Sequence, residues 1–332
     1  MLVVAIPHLI LPPIRGYDPT AELKLPALDL LLGRGQARIQ AGQRPLDWLL
    51  QQFGAPDLSV ATLLRPEATP ESGKRWLCAA PIHLRPERDQ LIASSDVYTD
   101  LTSQETEALL ASLNRHFNQD GIQFVASTPD TWFVQLPVDE KIDWAPLDLI
   151  AGASIHPHLP KGEGALRWHA FLNEVQMLLY THPVNDAREQ RGLLPVSSIW
   201  PWGDGRVDSP ITTRFGATYG DAPILRALAS RAGVVAQPLK AAEGPIRSGL
   251  LWLDGLTGAA AHGDIHGWQL QLQQIESAYL QPIVAAWRKG DILALQLHAP
   301  SAQGTCVASL RPADRWKFWR GPLPLRQLKI ES

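Results

Sequence analysis

Apolar residues in this chain occur in short runs that alternate with segments of helical period. Residues 2–6 form a continuous apolar run, as expected for a strand that is buried on both faces. Residues 103–117 place Leu109, Leu113 and Phe117 on one helical face, and Thr102 and Glu105 have the spacing of a capping box. This alternation predicts an α/β protein with a mainly parallel sheet.

The same patterns predict the other elements. Helices are expected at residues 46–53, 166–180 and 268–279, with another that begins at Asp221 and Pro223. Further strands are expected at residues 76–84, 122–125, 132–136, 196–202, 234–235, 249–253 and 292–297.

The chain is long enough for two domains, since it has 332 residues. Pro66, Pro70 and Gly73 predict a boundary near residue 70. We expect residues 1–74 and 195–300 to form the core, residues 75–194 an inserted α+β domain, and residues 301–332 a C-terminal extension that wraps the surface.

Composition narrows the class of protein. A net charge of −3 gives no electrostatic reason to expect nucleic-acid binding. No apolar run reaches the ~20 residues of a transmembrane helix, and the N-terminal run lacks the basic residues of a signal peptide. The two cysteines, Cys78 and Cys306, fit a reducing compartment, so we expect a cytoplasmic protein.

The most informative segment is residues 182–205, which contains His-Pro-Val-Asn, then Arg-Gly, then Trp-Pro-Trp-Gly. In that order these motifs resemble archaeal-type, cofactor-independent phosphoglycerate mutases of the alkaline-phosphatase-like superfamily. The resemblance implies an alkaline-phosphatase-like core of mainly parallel sheet with an inserted α+β domain. Weaker matches follow the same order at residues 24–29, 101–114, 120–124, 219–233, 263–264 and 275–276. With residues 316–319, the combination is also similar to a bacterial family labelled regulatory protein RpfE.

The resemblance implies two metal ions among carboxylates and histidines, beside a nucleophilic Ser, but this chain departs from that pattern. Where the family has a metal-binding Asp after its first strand, this chain has residues 5–7, Ala-Ile-Pro. Pro56 falls at the nucleophile position, and Ser59 is the alternative if the loop shifts register. The family has an Asp-His pair late in its sequence, and the corresponding residues of this chain are Leu297 and His298. Ala261 stands where the family has another His. Since two metals act together in phosphoryl transfer, the sequence predicts a degenerate centre with no cofactor.

An alternative metal site stays open. His262, Asp264 and His266 are spaced two apart. On an extended segment, side chains with this spacing face the same side, so these three could hold Mn or Zn together with His298. The favoured interpretation is that Asp264 instead caps a helix.

Cationic and amide side chains in the middle of the chain predict a residual anion-binding cleft for a small phosphorylated or carboxylate ligand. The candidates are His83, Arg85, His182, Asn185 and Arg191. The competing interpretation is that His182 and Asn185 cap a helix end, and that Arg188 is a solvated residue.

The tryptophans give two further expectations. Trp200 and Trp202 lie on one side of a predicted strand and are candidates for a pocket wall. Residues 316–320, Trp-Lys-Phe-Trp-Arg, alternate aromatic and basic side chains. Docking of this segment on the protein's own core is favoured over a protein partner bound through Trp316, Phe318 and Trp319.

Two classes of function follow. The first is a non-catalytic relative of the mutases with a regulatory or anion-binding role. The second is a divergent metal-dependent phosphotransferase, phosphatase or mutase. The chain contains neither a phosphate-binding P-loop nor a dinucleotide-binding glycine motif.

Overall fold

A computed structural model describes residues 1–12, 14, 16–65, 75–94, 100–136, 142–207, 209–241 and 246–328. The chain divides into two compact units. The first unit is Met1–Pro56 with Pro210–Ser332, and the second unit is Asp57–Ser209. The observed boundaries therefore differ from the predicted boundaries at residues 74 and 195. Pro66, Pro70 and Gly73, on which the first of these rested, lie outside the described residues.

The strands, in chain order, are β1 (Leu2–Ala5), β2 (Arg38–Gln40), β3 (Arg75–Glu87), β4 (Gln90–Ser94), β5 (Gln123–Thr128), β6 (Thr131–Leu136), β7 (Ile142–Asp143), β8 (Lys161–Gly162), β9 (Ser198–Trp202), β10 (Ala217–Tyr219), β11 (Val235–Gln237), β12 (Gly249–Trp252), β13 (Leu295–Ala299) and β14 (Thr305–Leu310).

The helices are α1 (Pro26–Arg34), α2 (Pro45–Gln52), α3 (Val60–Leu64), α4 (Ser103–Phe117), α5 (Leu147–Ile150), α6 (Ala165–Tyr180), α7 (Pro183–Gln190), α8 (Pro223–Arg231), α9 (Thr257–Ala261), α10 (Ile265–Ile275) and α11 (Gln281–Lys289). A π-helical turn at Glu276–Leu280 joins α10 to α11. None of the described helices is long and apolar enough to cross a membrane.

The sheet of the first unit runs in the order β11-β10-β12-β1-β13-β14-β2. Every pair from β11 to β13 is parallel, and the two pairs that involve β14 are antiparallel. The central strand β1 is fully buried, as its continuous apolar run predicted. The prediction of a mainly parallel α/β sheet is therefore confirmed.

In the first unit, a buried carboxylate caps the N-terminus of a helix. Glu276 accepts hydrogen bonds from the backbone N–H groups of Ala27 (2.7 Å) and Leu28 (3.0 Å). These groups belong to the first turn of α1, where N–H groups have no partner within the helix. The interaction joins two segments on which the resemblance rests, residues 24–29 and 275–276.

The second unit is built on an antiparallel sheet in the order β4-β3-β6-β5, in which β9 also pairs with β3. The capping box at Thr102 and Glu105 begins α4, as predicted. Strand β9 was expected to return the chain to the core of the first unit. It instead completes the sheet of the second unit, where Ile199 and Trp200 are buried.

The expected C-terminal extension also differs from the structure. Residues 305–310 form β14, which lies between β13 and β2 in the sheet of the first unit. Cys306, Ala308 and Leu310 are buried in the core of that unit. A strand with one buried face was missed because Cys-Val-Ala-Ser-Leu is short and partly polar.

Candidate functional site

The carboxyl ends of parallel strands form the edge at which α/β proteins usually bind ligands. At this edge of the first unit, Ala5 is in register with Trp252 on one side and with His298 on the other. The indole of Trp48, from α2, lies 5.1 Å from the His298 ring and 6.0 Å from the Trp252 ring. The Trp48 ring therefore contacts both His298 and Trp252 at this edge.

The imidazole of His298 has no hydrogen-bond partner among the described residues. Both ring nitrogens are buried and unpaired. Burial, together with a smaller effect of the positive charge of Arg214, lowers the pKa of His298 from 6.5 to about 4. The ring is therefore neutral near pH 7, and it lies beside apolar and aromatic groups rather than carboxylates.

Two carboxylates lie near the same edge, and sequence analysis missed both. Asp254 follows β12, and Asp221 follows β10. Burial raises the pKa of Asp254, although hydrogen bonds from its own backbone and from the Trp252 side chain oppose that effect. The negative charge of Asp221 raises the pKa further. Asp254 lies just after the buried parallel strand β12, and this position in the sequence is the signal that could have identified it.

The alternative metal set is not assembled in the structure. His262 ends α9, and its Nδ1 lies 2.9 Å from the Gly258 carbonyl oxygen. Asp264 caps α10, since its carboxylate accepts a hydrogen bond from the Gly267 N–H at 2.8 Å. His266 lies in the first turn of that helix. Among the residues described, no group of three or more His, Cys, Asp or Glu side chains could hold a metal ion.

Ser59, the alternative nucleophile, lies in the second unit and caps α3. Its Oγ accepts hydrogen bonds from the backbone N–H of Thr62 (3.3 Å) and from the Thr62 hydroxyl (3.1 Å), and it donates to the Gly203 carbonyl (3.4 Å). The side chain is buried. This geometry explains Ser59 as a structural residue and gives its hydroxyl no general base.

His182 and Asn185 also have structural partners. Pro183 begins α7, and His182 is the N-cap of that helix. His182 Nδ1 accepts from the Val184 N–H at 3.2 Å, and Nε2 lies 2.9 Å from the Ser112 hydroxyl. Burial lowers the pKa of His182. Buried Asn185 donates to the Leu179 and Val196 carbonyls and accepts from the Val196 N–H.

A buried ion-pair network follows on the same helix. Arg188, expected at the surface, is fully buried and forms two hydrogen bonds to Asp100 at 3.0 and 2.9 Å. It also contacts Glu105 at 3.3 Å and the Leu194 carbonyl at 2.8 Å. Arg191, whose side chain is half-exposed, pairs with the other oxygen of Glu105. Burial opposes ionisation of Glu105, but hydrogen bonds from Thr102 and Arg191 and the charge of Arg188 outweigh it, so the pKa of Glu105 is lowered.

The remaining members of the predicted anion set lie on or near β3. His83 Nδ1 lies 3.0 Å from the Pro195 carbonyl oxygen and 3.1 Å from the Ser197 hydroxyl. Arg85 is largely exposed and pairs with Glu87 at 3.1 Å. Each residue of the predicted anion-binding set therefore contacts other groups within this chain. Arg85 and Arg191 are the members of the set most exposed to solvent.

The tryptophan predictions have different outcomes. Trp200 is not a pocket wall: it is buried in the core of the second unit and donates from its indole to the Ala145 carbonyl at 2.9 Å. Trp202 packs against the same core. The segment at residues 316–320 does not dock on the core, because Trp316, Phe318 and Trp319 are exposed by 76%, 81% and 68%.

Comparison with known proteins supports the resemblance. No protein-family profile matches the chain. A probable 2,3-bisphosphoglycerate-independent phosphoglycerate mutase from Geobacter sulfurreducens is 30% identical over 143 residues, or 42% of this chain and 35% of that protein. A 2,3-bisphosphoglycerate-independent phosphoglycerate mutase from Methanothrix thermoacetophila is 39% identical over 71 residues, or 21% of this chain and 18% of that protein.

The matched regions therefore span little more than a third of these curated relatives at most. A solved protein structure from Pyrococcus horikoshii shares the fold, with a TM-score of 0.51 and 13% identity over 93% of this chain and 87% of that one. The predicted likeness to the phosphoglycerate mutases is confirmed, and this chain is phosphoglycerate mutase-like. The finer likeness to regulatory protein RpfE stays a prediction.

Proposed function

We propose that this phosphoglycerate mutase-like protein does not catalyse phosphoryl transfer and acts as a regulatory or anion-binding protein. One observation carries the proposal: among the described residues, His298 at the carboxyl edge of the parallel sheet has no hydrogen-bond partner and lies against Trp48, and no group of three metal-binding side chains includes it. At the edge where the resemblance implies chemistry, the described partner of this histidine is thus an aromatic ring.

The donor groups at this edge do not fit a pair of metal ions. A dinuclear site needs several carboxylates and histidines around two ions that stabilise both the attacking and the leaving oxygen. Ala5 and Leu297 provide no ligand, and the described residues contain no group of three or more His, Cys, Asp or Glu side chains that could hold a metal ion. His298 is directed at an aromatic ring. We therefore derive no catalytic step through a metal.

A nucleophile is also lacking at the aligned position. Pro56 has no hydroxyl, and the Ser59 hydroxyl is committed to capping α3. A serine nucleophile requires an adjacent base or a metal that withdraws its proton. The partners of Ser59 are Thr62 and the Gly203 carbonyl, neither of which is a base. The residues that the mutase mechanism needs for its metal centre and for its serine nucleophile are therefore both lacking at the aligned positions.

For a bound anion, the proposal centres on Arg191. Its guanidinium is half-exposed and its ion pair with Glu105 is open to solvent, so a phosphate or carboxylate ligand can compete for it. The resemblance implies that this part of the mutases holds phosphoglycerate. We place the protein in the cytoplasm, a proposal that the two buried free thiols, Cys78 and Cys306, support.

The test of catalysis is conversion of 3-phosphoglycerate to 2-phosphoglycerate with Mn in excess. The proposal expects no turnover above a blank reaction. Turnover near ~10 s⁻¹, a typical enzyme rate, would contradict it. If turnover occurs, Ser59→Ala and His298→Phe would be assayed beside thermal unfolding, so that loss of the fold is separated from loss of chemistry.

The test of binding is calorimetry with 3-phosphoglycerate. Arg191→Ala should weaken binding about tenfold, which corresponds to about 1.4 kcal/mol. Arg226→Ala is the matched control, because Arg226 is an exposed arginine on a helix of the first unit. Equal affinity in both variants, or no binding by the unmodified protein, would contradict the assignment of this ligand to Arg191.

A further inference from the structure

Three aromatic rings protrude from one short turn of the first unit. Trp316, Phe318 and Trp319 are exposed by 76%, 81% and 68%, and the rings of Phe318 and Trp319 meet edge to face at 5.4 Å. Rings that line a groove would each be partly covered by its walls. Exposure of more than two thirds on neighbouring residues means that these rings project outward together.

The turn is held in place by its polar neighbours. Asp314 is buried and binds Lys317 at 2.6 Å and Arg320 at 3.5 Å. Arg34 donates to the Arg315 carbonyl at 2.9 Å. The backbone of Leu323 donates to the Asp29 carbonyl at 2.8 Å. The rings are therefore presented by a fixed turn, so that little conformational entropy is lost when they bind.

Basic side chains surround these rings. Lys317 and Arg320 lie within the turn, and Arg34 contacts it through the Arg315 carbonyl. The guanidinium of Arg315 lies against Gly290, which follows the basic last turn of α11 at Arg288 and Lys289. Asp314 offsets part of the charge of Lys317 and Arg320, so the local excess of positive charge comes from the other basic residues of this region, against a net charge of −3 for the whole chain. The nearby Asp291 faces Arg247 at 3.9 Å.

We infer that residues 315–320 bind the surface of an anionic lipid membrane. Tryptophan prefers the boundary between headgroups and acyl chains, and basic residues are attracted to anionic lipids. A protruding cluster of rings can enter that boundary without a complementary groove, whereas a protein partner needs an interface of roughly 800 Å² on each side. The membrane is bound peripherally, through partial insertion of the rings and electrostatic attraction to the basic residues.

The test is cosedimentation of the full chain with vesicles of phosphatidylcholine, with and without phosphatidylglycerol. The protein should bind the anionic vesicles preferentially, and high salt should weaken that binding. The triple variant Trp316→Ala, Phe318→Ala, Trp319→Ala should lose about tenfold or more in partitioning, because the apolar groups that enter the boundary are removed.

The matched control is Leu166→Ala, Met177→Ala, Tyr180→Ala on α6, since these three side chains are exposed by 83%, 73% and 83%. This control should bind as the unmodified protein does. Vesicles with brominated acyl chains should quench the fluorescence of Trp316 and Trp319. The variant Trp316→Phe, Trp319→Phe should lose that quenching but still bind, because its aromatic rings remain.

Three results would overturn the inference. The first is no binding under conditions that detect a single myristoyl chain, whose association constant is roughly 10⁴ M⁻¹. The second is equal binding of the unmodified protein and the triple alanine variant. The third is self-association, measured by sedimentation, that the triple variant abolishes while vesicles remain unbound; this result would assign the rings to a second copy of the chain.

Discussion

The indole of Trp48 lies against the imidazole of His298, with ring centroids 5.1 Å apart and planes inclined by 45°. Neither nitrogen of the imidazole has a hydrogen-bond partner in the described part of the chain. A buried polar ring without a partner is destabilising. The buried environment of His298 thus opposes protonation of its ring, and the stability of the folded protein should therefore depend on pH.

The first prediction concerns that dependence. The pKa of His298 is lowered from 6.5 to about 4, so the unfolded chain binds more protons than the folded one between these values. The stabilisation is fully present above pH 6.5 and is lost as the pH falls toward 4. About 3 kcal/mol of the free energy of unfolding should be lost. His298→Phe should lack this component, as measured by urea unfolding at pH 7 and pH 4.5.

Carboxylates titrate in the same range, so the comparison is between the pH slopes of the two proteins. Other groups contribute equally to both. The same slope in the unmodified protein and in His298→Phe would show that the histidine is not the cause.

A second prediction separates two arginines that contact the same carboxylate. Arg188→Met should lower the free energy of unfolding by about 3–5 kcal/mol, since it leaves Asp100 and Glu105 without a buried partner. Arg191→Met should cost at most about 1 kcal/mol, because its pair with Glu105 is open to solvent. Chemical unfolding measures both, and costs that differ by less than the error would refute this assignment.

The third prediction concerns the side-chain amide of Asn185, which forms hydrogen bonds to the end of α6 and to the residues before β9. Asn185→Ala removes partners from the Leu179 carbonyl and from both backbone groups of Val196. Buried polar groups without partners should lower the free energy of unfolding by about 2–4 kcal/mol. Asn173→Ala, on the exposed face of α6, is the control and should change stability by less than about 0.5 kcal/mol. An equally small effect of Asn185→Ala would contradict the prediction.

The fourth prediction concerns Glu276. In Glu276→Gln, one of the two N–H donors of α1 would face an amide NH₂ group rather than an oxygen. We expect a loss of about 2 kcal/mol in the free energy of unfolding. Hydrogen exchange at Ala27 and Leu28 should also become faster. The exposed Gln274→Ala serves as the control. Unchanged exchange at both amides would mean that the carboxylate does not cap α1.

Local patterns predicted individual elements well. The helix at 103–117 and its capping box were predicted to the residue, because a side-chain cap and a regular apolar face are both local features. The helix that begins at Pro183 is not among the predicted helices, because its eight residues are mostly polar and have no regular apolar face. β14 was missed because a short, partly polar strand has little pattern of its own.

Site residues were harder to predict, because a side chain's role depends on what lies beside it. Arg188 and Asn185 have the polar character expected of ligand-binding residues, but they are buried among partners that lie elsewhere in the chain, such as Asp100 and Val196. Trp200 likewise fills a core. Trp316 was expected to dock on the core, yet it is exposed.

The sequence by itself determined the α/β class and the likeness to the phosphoglycerate mutases. It also determined that Pro56 and Leu297 have no side-chain donor atom, because residue identity alone decides whether such an atom exists. The tertiary structure decided which unit β9 joins, which polar groups are satisfied internally and which rings face solvent. Those outcomes depend on contacts between residues far apart in the chain, and such contacts leave little trace in the local pattern of apolar and polar positions.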